Sequence, residues 1–312
     1  MDELDIKILR ALISESAIGL TNIQMSSSLR QIAKRLGADD TTVSSRFNKL
    51  RELGCMSVWK LAINPTFFGY KMLDVMVDVL PQSAKDDMIR KLRFLDQTLA
   101  IVNFHGSALK IFLLYNEDGS RSRTIELISR TTNAERVTIS RMALPKSETN
   151  SLRKSDMSIL SAMTNDARKS PSIVASELHL SPRTVKNRLE KLRKEKTILT
   201  MPDLRFEDIP GFLVVYLSYS YADNALKDRV DKAMISHFDS NYLWGGFSDP
   251  ERSFIVLNAF AMADMRRFLQ WSKEEPGVAS ARIDIPIETR SFPEKLRELA
   301  SSRKSDQLTA QT

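Results

Sequence analysis

Cysteine and histidine are scarce in this chain: Cys55 is the single cysteine, and His105, His179 and His237 are the three histidines among 312 residues. A lone cysteine excludes an intrachain disulfide and any cysteine-based zinc site, and reads as a small buried hydrophobe in a reducing compartment. No run of about 18 apolar residues is present, so no membrane partner is expected. Met1 to Ile8 are acidic and helical in pattern, without the basic start and apolar segment of a secretory signal, and a cytoplasmic protein is expected. No serine, histidine and aspartate set, glycine-rich phosphate loop or pair of catalytic carboxylates stands out. The expectation is a protein that is not an enzyme and carries no metal or cofactor.

What the chain does contain is a repeat. Asp5, Ile8, Leu9 and Ala11 match Asp156, Ile159, Leu160 and Ala162, each 151 residues later. Ile32, Ala33, Leu36, Thr42, Val43, Arg46, Phe47, Lys49, Leu50 and Arg51 then match Val174, Ala175, Leu178, Thr184, Val185, Arg188, Leu189, Lys191, Leu192 and Arg193 at a spacing of 142, which Gly69 and Gly211 keep. The difference is a nine-residue insertion around Ile18 to Ser27 of the first copy. A duplicated chain of this length divides into four small units rather than the two that length alone suggests.

Apolar spacing fills those units. Leu4, Ile8, Leu9 and Leu12 give a first helix over Asp2 to Ser14, and Ile32, Ala33 and Leu36 a second over Leu29 to Leu36. Gly37 suits a left-handed turn, and Asp39 and Asp40 cap a third helix over Thr41 to Leu53, stopped by Gly54. The second copy repeats these helices over Ser155 to Thr164, Pro171 to Leu178 and onward from Ser181-Pro182, with His179 in place of the turn glycine. Met56 to Ile63 is expected to supply wing strands. Each copy continues as strand, helix, strand, strand, helix, strand: Met72 to Leu80 through Arg136 to Met142, and Phe212 to Tyr221 through Ser280 to Ile287. The fold class is α+β, a tandem duplication of a winged helix-turn-helix and a ferredoxin-like (βαββαβ) module. The boundaries are 1–63, 64–146, 147–203 and 204–293, with 294–312 a disordered tail.

The excess charge of +7 is concentrated. Between Arg168 and Lys196 nine cations face three glutamates, the footprint of a surface that meets phosphates. Stepping about 100° per residue along each third helix buries Val43, Phe47 and Leu50 in one copy and Val185, Leu189 and Leu192 in the other. The opposite faces offer Thr41, Ser44, Ser45, Asn48 and Lys49, and Arg183, Thr184, Lys186, Asn187, Lys191 and Lys194. Residues near the N-terminal end of such a helix reach base edges, whereas Lys191, Arg193 and Lys194 are expected on phosphates. Arg46 and Arg188, on the flank, suit either a phosphate or a structural link to the second helix. Double-stranded DNA is the expected partner.

These residues resemble the Lrp/AsnC, or feast/famine, transcriptional regulators. The likeness is carried by Leu4-Asp5-Ile6-Lys7-Ile8-Leu9, Ile32-Ala33-Lys34-Arg35-Leu36-Gly37, Thr42-Val43, Asn64-Pro65 to Gly69-Tyr70, Val174-Ala175 and Ser181-Pro182-Arg183-Thr184-Val185 through Leu192. The doubled arrangement looks like tandem versions associated with archaea. The resemblance implies a regulator whose two sheet modules pair within one chain as a covalent pseudo-dimer. It also implies an amino-acid or other small-molecule effector, and further homo-oligomers as an option. The nearest counterparts of the family's effector loop, His105-Gly106-Ser107 and Gly245-Gly246-Phe247-Ser248-Asp249, match poorly and read as turns between strands, while Trp244 and Trp271 read as core or interface.

Two alternatives belong to other classes. Siroheme decarboxylases look like the same fold and use histidine and arginine around a tetrapyrrole, for which only His105 sits at a suitable sheet position. A ligand-sensing or assembly protein would instead turn its helical units toward other proteins, against which the basic second recognition helix argues.

Overall fold

A computed structural model describes residues 2–13, 28–54, 56–79, 82–116, 120–132, 134, 136–149, 151–204, 206, 209, 212–247, 249–292 and 295–296. In the first copy these form α1 (Glu3–Ile13), α2 (Leu29–Leu36), α3 (Asp40–Glu52), β1 (Met56–Ile63), β2 (Lys71–Asp78), α4 (Lys85–Arg93), β3 (Thr98–Phe104), β4 (Ala108–Tyr115), α5 (Ser120–Thr132) and β5 (Arg136–Met142). The second copy gives α6 (Lys154–Met163), α7 (Pro171–Leu178), α8 (Pro182–Lys194), β6 (Ile198–Leu204), β7 (Leu213–Tyr221), α9 (Lys227–His237), β8 (Tyr242–Gly246), β9 (Arg252–Ala259), α10 (Met262–Glu274), β10 (Val278–Asp284) and β11 (Pro286–Ser291). The repeat is therefore structural. The insertion around Ile18 to Ser27, Cys55 and Gly211 lie outside the described residues, as do 294 and 297–312 of the expected tail.

Local chemistry sets the helix ends. Ser28 and Gln31 exchange hydrogen bonds in a capping box that opens α2. Ser170 and Ser181 cap α7 and α8 ahead of Pro171 and Pro182, whose missing N–H costs nothing at a first helical position. Gly37 ends α2 at φ 63°, and His179 ends α7 at φ 54°, so the turn keeps its left-handed shape in both copies although only one has glycine.

The expected wing is absent among the described residues. β1 pairs antiparallel with β6 of the other copy, with Ile63 opposite Ile198 and Trp59 opposite Pro202. A lone strand must find partners for its backbone groups, and its counterpart in the repeat supplies them. On β1 the Leu61 N–H also donates to Thr164 O at 3.1 Å, and the Trp59 carbonyl accepts the Ala167 N–H at 2.7 Å. Each helical unit is thus a plain helix-turn-helix with a linker strand.

The sheets run β11-β3-β4-β2-β5 and β10-β7-β9-β8, each with a ferredoxin-like order. Period-two alternation divides their faces: Leu73, Val75 and Val77 meet α4 and α5, while Val215, Leu217 and Tyr219 meet α9 and α10. The opposite faces turn toward each other. Phe104 and Tyr216 meet edge to face at 5.2 Å, and Val102, Ala108, Trp244, Phe254 and Val256 join a cluster that continues into both helical units. The stretch expected as one final strand, Ser280 to Ile287, is two. Pro286 cannot donate to a ladder, and beyond it β11 leaves its own module to pair with β3 of the first. The last strand of the fourth unit thus completes the sheet of the first module.

Candidate nucleic-acid interface

The two recognition helices present the residues that periodicity selects. On α3 Val43, Phe47 and Leu50 are buried while Thr41, Ser45, Asn48 and Lys49 are exposed and Ser44 is half-buried. On α8 Val185, Leu189 and Leu192 are buried, leaving Arg183, Thr184, Lys186, Asn187, Lys191 and Lys194 exposed. Not all are free to reach a duplex. The Thr41 hydroxyl donates to the Asp39 carboxylate at 2.5 Å, which also takes the Thr41 and Thr42 amides and is held below the usual carboxylate range by these bonds. The Thr184 and Ser181 hydroxyls share a bond of 2.8 Å. Both threonines therefore serve the N-caps first.

Arg193 departs from its expected place. It is half-buried, its Nε has no hydrogen-bond partner, and burial pushes its guanidinium below the usual value. Its Nε is thus withdrawn from solvent, unlike the exposed Lys191 and Lys194 beside it. Lys186 lies 3.9 Å from Glu190 and Lys191 3.5 Å from Glu195, loose surface pairs that a phosphate can displace.

Arg46 and Arg188 link to the first helix of each unit, not the second. Arg188 Nε donates to Asp156 Oδ1 at 2.5 Å and its Nη2 to Asp156 Oδ2, while Arg46 Nη1 reaches Asp2 at 2.6 Å and Asp5 at 3.3 Å. Asp5 and Asp156 are each 1% exposed. A matched ion pair ties recognition helix to first helix in both copies. Sequence reading missed it although both partners stood in the repeat, because the pair joins positions 41 residues apart in one copy and 32 in the other.

Arg168, counted among the basic residues, stacks over Trp59 at 4.8 Å and Phe47 at 5.6 Å, joining the second helical unit to the first. Arg10 donates to Asp239 Oδ1 at 2.5 Å and lies over Tyr242 at 5.1 Å, docking α1 on the second module. The heads are therefore fixed to the sheets and to each other. Their charges differ, with six cations against one carboxylate along α8 and three against two along α3.

The suggested effector loops are taken up by structure. His105, Gly106 and Ser107 turn between β3 and β4, where Lys85 Nζ donates to the carbonyls of Phe104 at 2.5 Å and Gly106 at 2.8 Å. Gly245 and Gly246 lie within β8, not in a turn, and the rings of Phe247 and Phe254 fill the space that side chains there would need. Trp244 is buried between the sheets, as expected. No helix among the described residues is long and apolar enough to cross a membrane.

Comparison with known proteins agrees with the helical geometry. Residues 154–193, spanning α6 to α8, match the AsnC-type helix-turn-helix domain. The HTH-type transcriptional regulator Ptr1 of Methanocaldococcus jannaschii is 27% identical over 106 residues, which cover 34% of this chain and 66% of that regulator, just under two thirds of its length. The resemblance to Lrp/AsnC regulators read from the sequence is borne out. Over nearly the whole chain, the structure is similar to a crystal structure of the siroheme decarboxylase NirDL: TM-score 0.55, 10% identity, 96% of this chain and 99% of that one. Its co-complex with an iron-uroporphyrin III analogue matches at TM-score 0.54 and 11% identity. This corrects one expectation. The exclusion of enzymatic function does not stand, because an enzyme uses the same full-length arrangement.

Proposed function

We propose that this chain is a sequence-specific DNA-binding transcriptional regulator of Lrp/AsnC type, acting in the cytoplasm as a covalent pseudo-dimer. The observation that carries this reading is the exposed cationic face of α8, set opposite a buried apolar stripe within an AsnC-type helix-turn-helix domain. Arg183, Lys186 and Asn187 near its N-terminal end read base edges in the major groove; Lys191 and Lys194 meet phosphates. Ser44, Ser45, Asn48 and Lys49 of α3 make the weaker, less charged contact, so the two half-sites differ. A half-site separation of about one helical turn suits two heads held by paired modules.

Binding titrations on matched and mismatched duplexes across a salt series test the assignment. Arg183→Ala is expected to lose about 1 to 3 kcal/mol of discrimination at one position. Lys194→Ala is expected to weaken all duplexes alike and reduce the salt slope by about 1. Equal losses on every sequence for Arg183→Ala would reject the base-reading role.

The likeness to NirDL over both copies favours a second reading, an enzyme acting on a tetrapyrrole. An absorbance titration of the purified chain with an iron tetrapyrrole separates the two. A Soret shift that saturates at one equivalent, without any retardation of DNA, would replace the regulator reading.

A further inference from the structure

Between the facing sheets lies a cavity of about 210 Å³ to which both modules contribute. It falls below the ~300–1,000 Å³ typical of drug-sized ligands and suits a small metabolite. Its floor is a buried ion pair: Lys110 Nζ lies 2.5 Å from Asp74 Oδ2, with side chains 4% and 6% exposed. The second oxygen, Asp74 Oδ1, is buried and accepts no hydrogen bond. An ionised oxygen left without a donor at such a depth is costly, so a ligand that brings one is favoured there.

The walls carry cations in excess. Arg136 and Arg141 come from β5 of the first module, Arg252 from β9 and Arg282 from β10 of the second. Arg282 is already held by Asp284 at 2.8 Å and by Asp78 across the module boundary at 3.4 Å. Asp249 also lines the cleft, its two oxygens accepting the backbone amides of Arg141 at 2.9 Å and Glu251 at 3.0 Å, and with Asp74 it leaves the five lining cations in excess. Arg252 has Glu251 only at 3.9 Å, and its buried Nε lacks a partner. Hydroxyls of Thr138, Ser140 and Ser218 also line it, together with the apolar side chains of Met76, Met142 and Phe254. None of the three histidines lines it.

We infer that this cleft binds a small polyanion bearing a hydroxyl, its acidic groups held by Arg136, Arg141 and Arg252 and its hydroxyl donated to Asp74 Oδ1. Planar guanidinium forks pair bidentately with carboxylate or phosphate oxygens, so both kinds of acid fit. Because the arginines come from opposite modules, a bound polyanion ties one sheet to the other.

Isothermal titration of the full chain at constant ionic strength tests this with citrate, tricarballylate, inorganic pyrophosphate and acetate. Citrate is expected to bind at one equivalent and raise the unfolding temperature, and acetate to do neither. Tricarballylate, which lacks only the hydroxyl, is expected to bind about tenfold more weakly, the equivalent of about 1.4 kcal/mol. Tighter binding of pyrophosphate than citrate would show the acid to be phosphate, tighter citrate a carboxylate.

Arg136→Gln and Arg141→Gln alter exposed side chains and should leave the fold intact, and each is expected to weaken citrate at least tenfold, whereas Lys91→Gln on the distant face of α4 should not. Absence of binding by citrate and pyrophosphate alike, or an equal loss in Lys91→Gln, overturns the site. Equal affinity for citrate and tricarballylate overturns the role of Asp74. A chain that binds DNA but no polyanion rejects the cleft and leaves the regulator reading intact.

Discussion

Asp156 and Arg188 illustrate how one side-chain pair fixes the tilt of a reading helix. The carboxylate is buried and takes both arms of the guanidinium plus the Arg153 amide, so losing the arginine strands a charge inside the second helical unit. Arg188→Ala is expected to destabilise by about 3 kcal/mol in urea unfolding. Arg46→Ala should cost less, because Arg46 is 32% exposed and also leans on the exposed Asp2. His237 supplies a pH dependence of opposite origin. Its exposed ring stacks on Trp271 at 3.8 Å, and desolvation on that side followed by the nearby Arg267 charge lowers its pKa from 6.5. A histidine whose folded pKa is lowered contributes stability that is complete above the unfolded pKa and is lost as pH falls through 6.5 toward the folded value. Unfolding followed from pH 7.5 down to about pH 5 should show this slope in the native chain and a shallower one in His237→Gln. Residues like these were hard to read from sequence. Periodicity sorts α8 into inward and outward faces, but it cannot tell an arginine aimed at solvent from one such as Arg193, whose long apolar stem lies along the protein.

At the scale of elements, caps and periods were legible because they are local. Ser181-Pro182 announced α8, and β5 runs from Arg136 to Met142 as the alternation indicated. The turn between α2 and α3 and its counterpart between α7 and α8 form an internal control, with the same left-handed backbone carrying glycine in one and histidine in the other. Gly37→Ala is expected to cost about 1 kcal/mol, and His179→Gly to restore up to a similar amount, both measured by thermal unfolding. A result of opposite sign at either position would mean that side-chain contacts outweigh backbone strain there. The strands after the recognition helices were misassigned as wings for a physical reason. Alternation reveals that a segment is extended but not which strand it pairs with, and β1 and β6 find partners 135 to 148 positions away, too far for any local signal.

At the scale of the whole molecule the duplication is not two independent copies. Helical units, linker strands and facing sheets share one apolar cluster, and Arg10, Arg168 and Arg282 each cross between units. The most pronounced exchange is β11, which covers the β3 edge of the first module and is followed by Phe292, packed in that module's core. A chain ended after Ile285 is expected to lose amide protection along β3 and to unfold at lower temperature, with the first module opening ahead of the second in hydrogen exchange. If the protection on β3 survived that truncation, the closing strand would be dispensable.

That closing strand also bears on biosynthesis. The first module is translated long before residues 286–291 emerge, so during elongation the β3 margin stands unpaired on the nascent polypeptide. Maturation of the amino-terminal half is thereby coupled to completion of synthesis, and a prematurely terminated product would be released with an open, adhesive edge that marks it for association or removal.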